Sequence, residues 1–66
     1  MDGKKIGERL VKLRGKRTQA EVAEAIGVST SAYSMYETGE RIPRDETQKR
    51  IAAYYKRSIN TIFLAD

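Results

Sequence analysis

The 66-residue sequence contains no cysteine, no histidine and no tryptophan. Without thiols there is no disulfide and no thiolate metal site, so a chain this short must hold together by packing. Without imidazole, zinc loses a usual ligand and acid–base catalysis its commonest base. The acids, lysines and tyrosines that remain are joined by no glycine-rich phosphate cradle and no nucleophile constellation. The sequence therefore reads as a non-enzyme that needs no metal and no cofactor. No apolar run approaches the ~20 residues of a membrane span, and the amino-terminal MDGKK lacks the apolar core of a secretion signal. The expectation is a cytoplasmic protein with no membrane partner. Strand signals are missing too, because β-branched residues are scattered and never alternate over a run. What is left is an all-α chain forming one domain, 1–66, of a size that buries only ~60% of the surface it exposes unfolded.

Charge is plentiful and unevenly placed. The net charge is +4 and the sequence pI about 9.6. Residues 1–17 carry seven Lys or Arg against two acids, residues 18–40 four Glu and no basic residue, and residues 41–57 six basic against two acidic. Basic flanks around an acidic centre suit an anionic partner that is attracted by the flanks rather than by the centre.

That centre is also where local structure is best specified. Thr18 and Glu21 form a T-x-x-E capping box, and the apolar positions Ala20, Val22, Ala23 and Ile26 fit a 3.6-residue period, predicting a helix over 18–26 that Gly27 ends. Ser29 is a good cap for a second helix over 29–38, with Val28, Ala32, Tyr33 and Tyr36 inward and Gly39 as its stop. Two helices three residues apart cross steeply, and Ala23 supplies the small side chain such a crossing needs. Before this pair, Ile6, Leu10 and Leu13 line one face of a helix over 4–13 that ends at Gly15. After it, Pro43 biases Ile42 towards an extended conformation, and Asp45 and Glu46 suit the first turn of a helix over 45–55, burying Thr47, Ile51, Ala52 and one of Tyr54 and Tyr55. Asp45 is a candidate for shifting that helix start. Ser58 caps a last short helix over 58–64. The expected core is Ile6, Leu10, Leu13, Val22, Ala23, Ile26, Val28, Tyr33, Tyr36, Ile42, Ile51, Ala52, Ile59 and Ile62.

Gln19, Ala23, Gly27, Val28, Tyr33, Tyr36 and Gly39 together resemble the helix-turn-helix of the phage lambda repressor and Cro type, an XRE-like domain, with the likeness extending from about Ile6 to Phe63. The resemblance implies a compact five-helix lambda-repressor-like domain with its motif at 18–39 and helix 29–38 in the major groove. It further implies a sequence-selective regulator of transcription, in the first instance a repressor, that binds double-stranded DNA in a bacterium or phage. Base contact is carried over to Thr30, Ser31 and Met35, with Ser34 adjacent. Their hydroxyls and apolar groups make no bidentate pair with a base, so DNA shape would share in specificity. Phosphate contact is carried over to Gln19, while Arg17, Arg41 and Arg44 flank the groove and Lys16 and Thr38 are further candidates. Arg14 takes the place of a family Arg that pairs with a Glu late in the second helix, here Glu37.

Ile62, Phe63 and Leu64 are adjacent apolar residues on a helix expected to be too short to bury all three, which predicts a homodimer contact. An alternative of another class is a small protein-binding partner, such as an antitoxin or adaptor, on the same fold. Its motive is the lack of Lys and Arg between residues 18 and 40, and salt-dependent binding to duplex DNA separates the two readings.

Overall fold

The computed structural model describes residues 1–65, which form five helices: α1 (Gly3–Arg14), α2 (Gln19–Ile26), α3 (Thr30–Thr38), α4 (Asp45–Tyr55) and α5 (Asn60–Leu64). Most starts are set by short polar side chains. The Asp2 carboxylate accepts from the amides of Lys4 and Lys5 at 3.0 and 3.2 Å, so α1 begins at Gly3, within a residue of the start the sequence predicts. Thr18, Ser29 and Ser58 each accept, through the hydroxyl oxygen and at 3.0 Å, the amide three residues ahead. The reciprocal half of the capping box, from the Glu21 carboxylate, is not formed among the described residues. Asp45 is the first helical residue of α4 rather than its cap. Arg44 occupies the cap position without a side-chain bond, and the buried Gln48 instead turns its Nε2 to the Pro43 carbonyl at 2.9 Å.

The buried cluster joins Ile6 and Leu10 of α1, Val22, Ala23 and Ile26 of α2, Tyr33 and Tyr36 of α3, Ile51, Ala52 and Tyr55 of α4, and Ile62 and Phe63 of α5. Leu13, Val28, Tyr54 and Ile59 pack against it while partly exposed. Two expectations fail here. Ile42 is 40% exposed. In the extended segment before α4 successive side chains alternate, and the inward place falls to Pro43, which is buried. Phe63, expected at a dimer contact, is only 2% exposed, and Ile62 beside it is buried as well. The cause is the geometry of α5, a π-helical turn closed by the Ala65 amide on the Asn60 carbonyl at 2.7 Å. Its wider turn brings neighbouring side chains closer to one face, so both enter the core and only Leu64 stays outside.

The tightest crossing is between α1 and α3. A Cβ placed on Gly7 would fall well inside contact distance of the Glu37 carbonyl oxygen, and one on Gly3 would meet the Gly39 carbonyl oxygen at 2.9 Å. Two glycines four residues apart thus let α1 lie directly on the backbone of α3. Ala23, on α2, is buried in the core as the sequence predicts.

Candidate nucleic-acid interface

The outer surface of α3 is defined by what holds its inner surface. At its amino-terminal side Gly27 takes φ 78°, a left-handed conformation that costs little only without a side chain, and Val28 donates its amide to the Ala23 carbonyl at 3.0 Å. Inside, Tyr33 meets Tyr36 edge to face with centroids 6.3 Å apart, and its hydroxyl lies 2.7 Å from that of Tyr55 in a buried pair. Burial and this mutual hydrogen bond push the Tyr33 hydroxyl far above the ordinary tyrosine range, and burial raises Tyr55 as well. Outside remain Thr30 and Ser31, both exposed, and Ser34 and Met35, half-buried against the neighbouring surface. The four base-reading candidates therefore share one face, with two of them standing clear of it and two lying lower.

At its carboxy-terminal side α3 is pinned by charge. Arg14 donates from Nε to Glu37 Oε2 at 2.6 Å and from Nη2 to Oε1 at 3.2 Å, the fork expected of this pair. Gln19 Nε2 adds a bond to the same Oε1 at 2.8 Å. The Glu37 side chain is 3% exposed and that of Arg14 21%. Burial alone would raise the Glu37 carboxyl, but the bonds from Arg14 and Gln19 outweigh it and hold the group below the usual carboxylate range. The same bond raises the Arg14 guanidinium further. One buried carboxylate thus ties the end of α1 and the start of α2 to the last turn of α3.

The phosphate candidates fare differently. Gln19 is the first residue of α2, where backbone amides lack intrahelical partners, but one of its side-chain N–H groups is already given to Glu37. Arg17 is exposed and lies over the rings of Tyr54 and Tyr55. Lys16 is exposed in the α1–α2 connection. Arg41 and Arg44, both exposed, border a surface cleft with Tyr36, Ile42 and Thr47 beyond the end of α3. Thr38 is the poorest candidate. Its hydroxyl lies 3.2 Å from the Met35 carbonyl and 3.1 Å from the Glu40 carboxylate, so it closes the end of its own helix, and the neighbouring acid repels a phosphate.

Sequence reasoning missed three residues that act at a distance in the fold. Gly7 sets how closely α1 approaches α3, and its only sequence signal is the Gly3-x-x-x-Gly7 spacing. Arg9 reaches across to the carbonyls of Ile62, at 2.8 Å, and Ala65, where a cation complements the carboxy-terminal end of α5. Tyr54 lies under Arg17. Among the described residues no group of three or more acidic side chains is arranged to hold a metal.

A helix-turn-helix family model matches residues 8–62. The chain belongs to the helix-turn-helix family. Of curated proteins, it is similar to the cryptic phage CTXphi transcriptional repressor RstR of Vibrio cholerae, at 40% identity over 60 residues that cover 88% of this chain and 54% of the relative. The chain thus spans about half the length of the curated relative it matches. Of solved structures, this helix-turn-helix domain resembles the crystal structure of the P22 c2 repressor in complex with synthetic operator 9T. The TM-score is 0.87 and the identity 28%, over 92% of this chain and 96% of that one. The all-α, five-helix architecture expected of the sequence is the architecture the two share.

Proposed function

We propose that this helix-turn-helix domain binds double-stranded operator DNA as the DNA-reading part of a transcriptional repressor, with α3 in the major groove. The observation that carries the reading is the outer face of α3. Thr30, Ser31, Ser34 and Met35 lie outside the core on a helix fixed at both ends, with Arg17 exposed next to the Arg14 clamp and Arg41 and Arg44 exposed beyond the end of the helix. The relatives support it, one being a phage transcriptional repressor and the other a repressor on its operator. Single hydroxyls and a thioether discriminate bases at or below the ~1 to 3 kcal/mol of a bidentate contact. Useful specificity then calls for two copies on a symmetric operator, half-sites about one helical turn apart, in the cytoplasm where such DNA lies. The reading as a protein-binding adaptor keeps a single motive, the absence of basic residues from 18 to 40, and Glu37, one of the acids there, is neutralised by Arg14.

Titration of fluorescent duplexes of random and genomic sequence tests the proposal. Binding is expected at low salt and should fall by orders of magnitude as salt rises. Arg41→Ala combined with Arg44→Ala should weaken binding to every sequence alike and reduce the salt slope by roughly 0.9 for each phosphate that is no longer neutralised. Absence of binding to any duplex at low salt would sink the proposal.

A further inference from the structure

Arg17 is not a free surface arm. Its guanidinium carbon lies 5.3 Å from the centroid of the Tyr54 ring and 5.8 Å from that of Tyr55. The two rings meet edge to face, 5.0 Å apart at 70°, and form an aromatic seat at the end of α4. The main chain of Arg17 is fixed as well, its carbonyl accepting from Arg14 Nη1 at 2.7 Å and its amide donating to the Arg14 carbonyl at 3.1 Å. Arg14 is the residue that clamps Glu37, and Glu37 in turn holds Gln19. The two foremost phosphate candidates at the start of α2 are therefore mounted on one frame, Gln19 through Glu37 and Arg17 through Arg14 and the tyrosine rings. Tyr55 is buried and shares its hydroxyl with Tyr33, which explains its place in the core. Tyr54 is half-buried, and among the described residues its hydroxyl makes no hydrogen bond, so its ring is the part in use.

We propose that Tyr54 is a positioning residue, whose ring holds the Arg17 guanidinium beside the amino-terminus of α2 so that Arg17 and Gln19 offer the DNA backbone a preformed grip. This rests on the DNA-binding reading above. A guanidinium stacked on a ring keeps the N–H groups along its edge available to phosphate oxygens, here apart from the Nη1 group that reaches the Leu13 carbonyl at 3.4 Å and helps to hold the side chain in place. A long arginine side chain otherwise loses its rotamer freedom on binding, and stacking removes that freedom before the DNA arrives.

The test is a double-mutant cycle on affinity for duplex DNA, with circular-dichroism melts showing that each variant is folded at the assay temperature. Tyr54→Leu is expected to weaken binding about 2- to 5-fold across sequences, the equivalent of an exposed cation–π contact. The salt slope should stay, because the charge is still present. Tyr54→Phe, which keeps a ring, should recover most of the loss. Arg17→Ala should reduce both affinity and slope, and in that background Tyr54→Leu should have no further effect. Arg17→Lys, which keeps the charge but loses the planar face, leaves the seat intact and should match the loss of Tyr54→Leu. Equal losses from Tyr54→Leu with and without Arg17 overturn the inference, as does wild-type affinity in both Tyr54→Leu and Arg17→Lys. A wild-type chain that binds no duplex overturns the DNA reading itself and this inference with it.

Discussion

Glu37 shows how much one side chain can decide in a domain of this size. Three helices meet at its carboxylate, which has little access to water and is satisfied by Arg14 and Gln19. Removing one partner of such a pair strands the other, so Glu37→Ala should cost roughly 2 to 4 kcal/mol in urea denaturation. Adding Arg14→Met should recover part of that, and strictly additive losses would show that the pair carries no coupling. The pH dependence follows from the same bonds. The folded-state pKa of Glu37 is depressed, so its contribution is whole above the unfolded value of about 4.3 and is lost as pH falls towards the folded one. Glu37→Gln should flatten that acid limb in melts taken between neutral pH and about pH 2. Tyr33 and Tyr55 act on the other side, both raised by burial. Their contribution is intact below the unfolded tyrosine value of about 10 and is lost as pH rises past it.

Among elements, the crossing of α1 on α3 sets where the proposed reading face lies. The obstacle that a side chain at Gly7 would meet is backbone, the carbonyls of Glu37 and Tyr36, and cannot swing aside. Gly7→Ala should therefore destabilise the domain by about 3 kcal/mol, despite the better helix propensity of alanine. A midpoint unchanged in chemical denaturation would mean that the two helices can slide apart freely. This crossing also marks the limit of what the sequence discloses. Helix ends were legible because Thr18, Ser29 and Ser58 act on amides three residues away, and Gly15, Gly27 and Gly39 on their own φ angles. The partnership of Arg14 with Glu37 was legible only through the family likeness, since nothing local joins residues so far apart. Gly7, Arg9 and Tyr54 were illegible because each acts on an element distant in the chain: the backbone of α3, the carbonyls of α5, the side chain of Arg17. Ile42 and Phe63 were misplaced for a related reason, since hydropathy names Ile42 as core and the shortness of the last helix names Phe63 as a dimer contact, while the local path of the chain turns the first outward and the second inward. For the proposed reading face the sequence names the candidates but not their depth, since Ser34 and Met35 are half-buried where Thr30 and Ser31 are exposed.

For the molecule as a whole, the burial of α5 changes what is expected of the proposed pairing of two copies. A stable interface takes about 800 Å² from each partner, a large share of the 4273 Å² this chain exposes. With Ile62 and Phe63 inside, the apolar surface left at that end is Leu64, 57% exposed, and Met1, 61% exposed. Both line a cleft that Lys5 and Arg9 also border. In a two-fold pairing the same patch meets itself, and because the one carboxylate there, Asp2, is already engaged by the amides of Lys4 and Lys5, the two cations would approach their counterparts and weaken an already small apolar contact. The 66-residue chain is therefore expected to sediment as a monomer at tens of micromolar and to pair only on DNA. There, adjacent half-sites supply an effective concentration that can reach the millimolar range, and a weak contact becomes cooperative binding. Leu64→Glu should leave the fold and the affinity for a single half-site unchanged while abolishing cooperativity on a duplex with two half-sites. A wild-type dimer at low micromolar concentration, or full cooperativity in Leu64→Glu, would place the contact on another face of the domain.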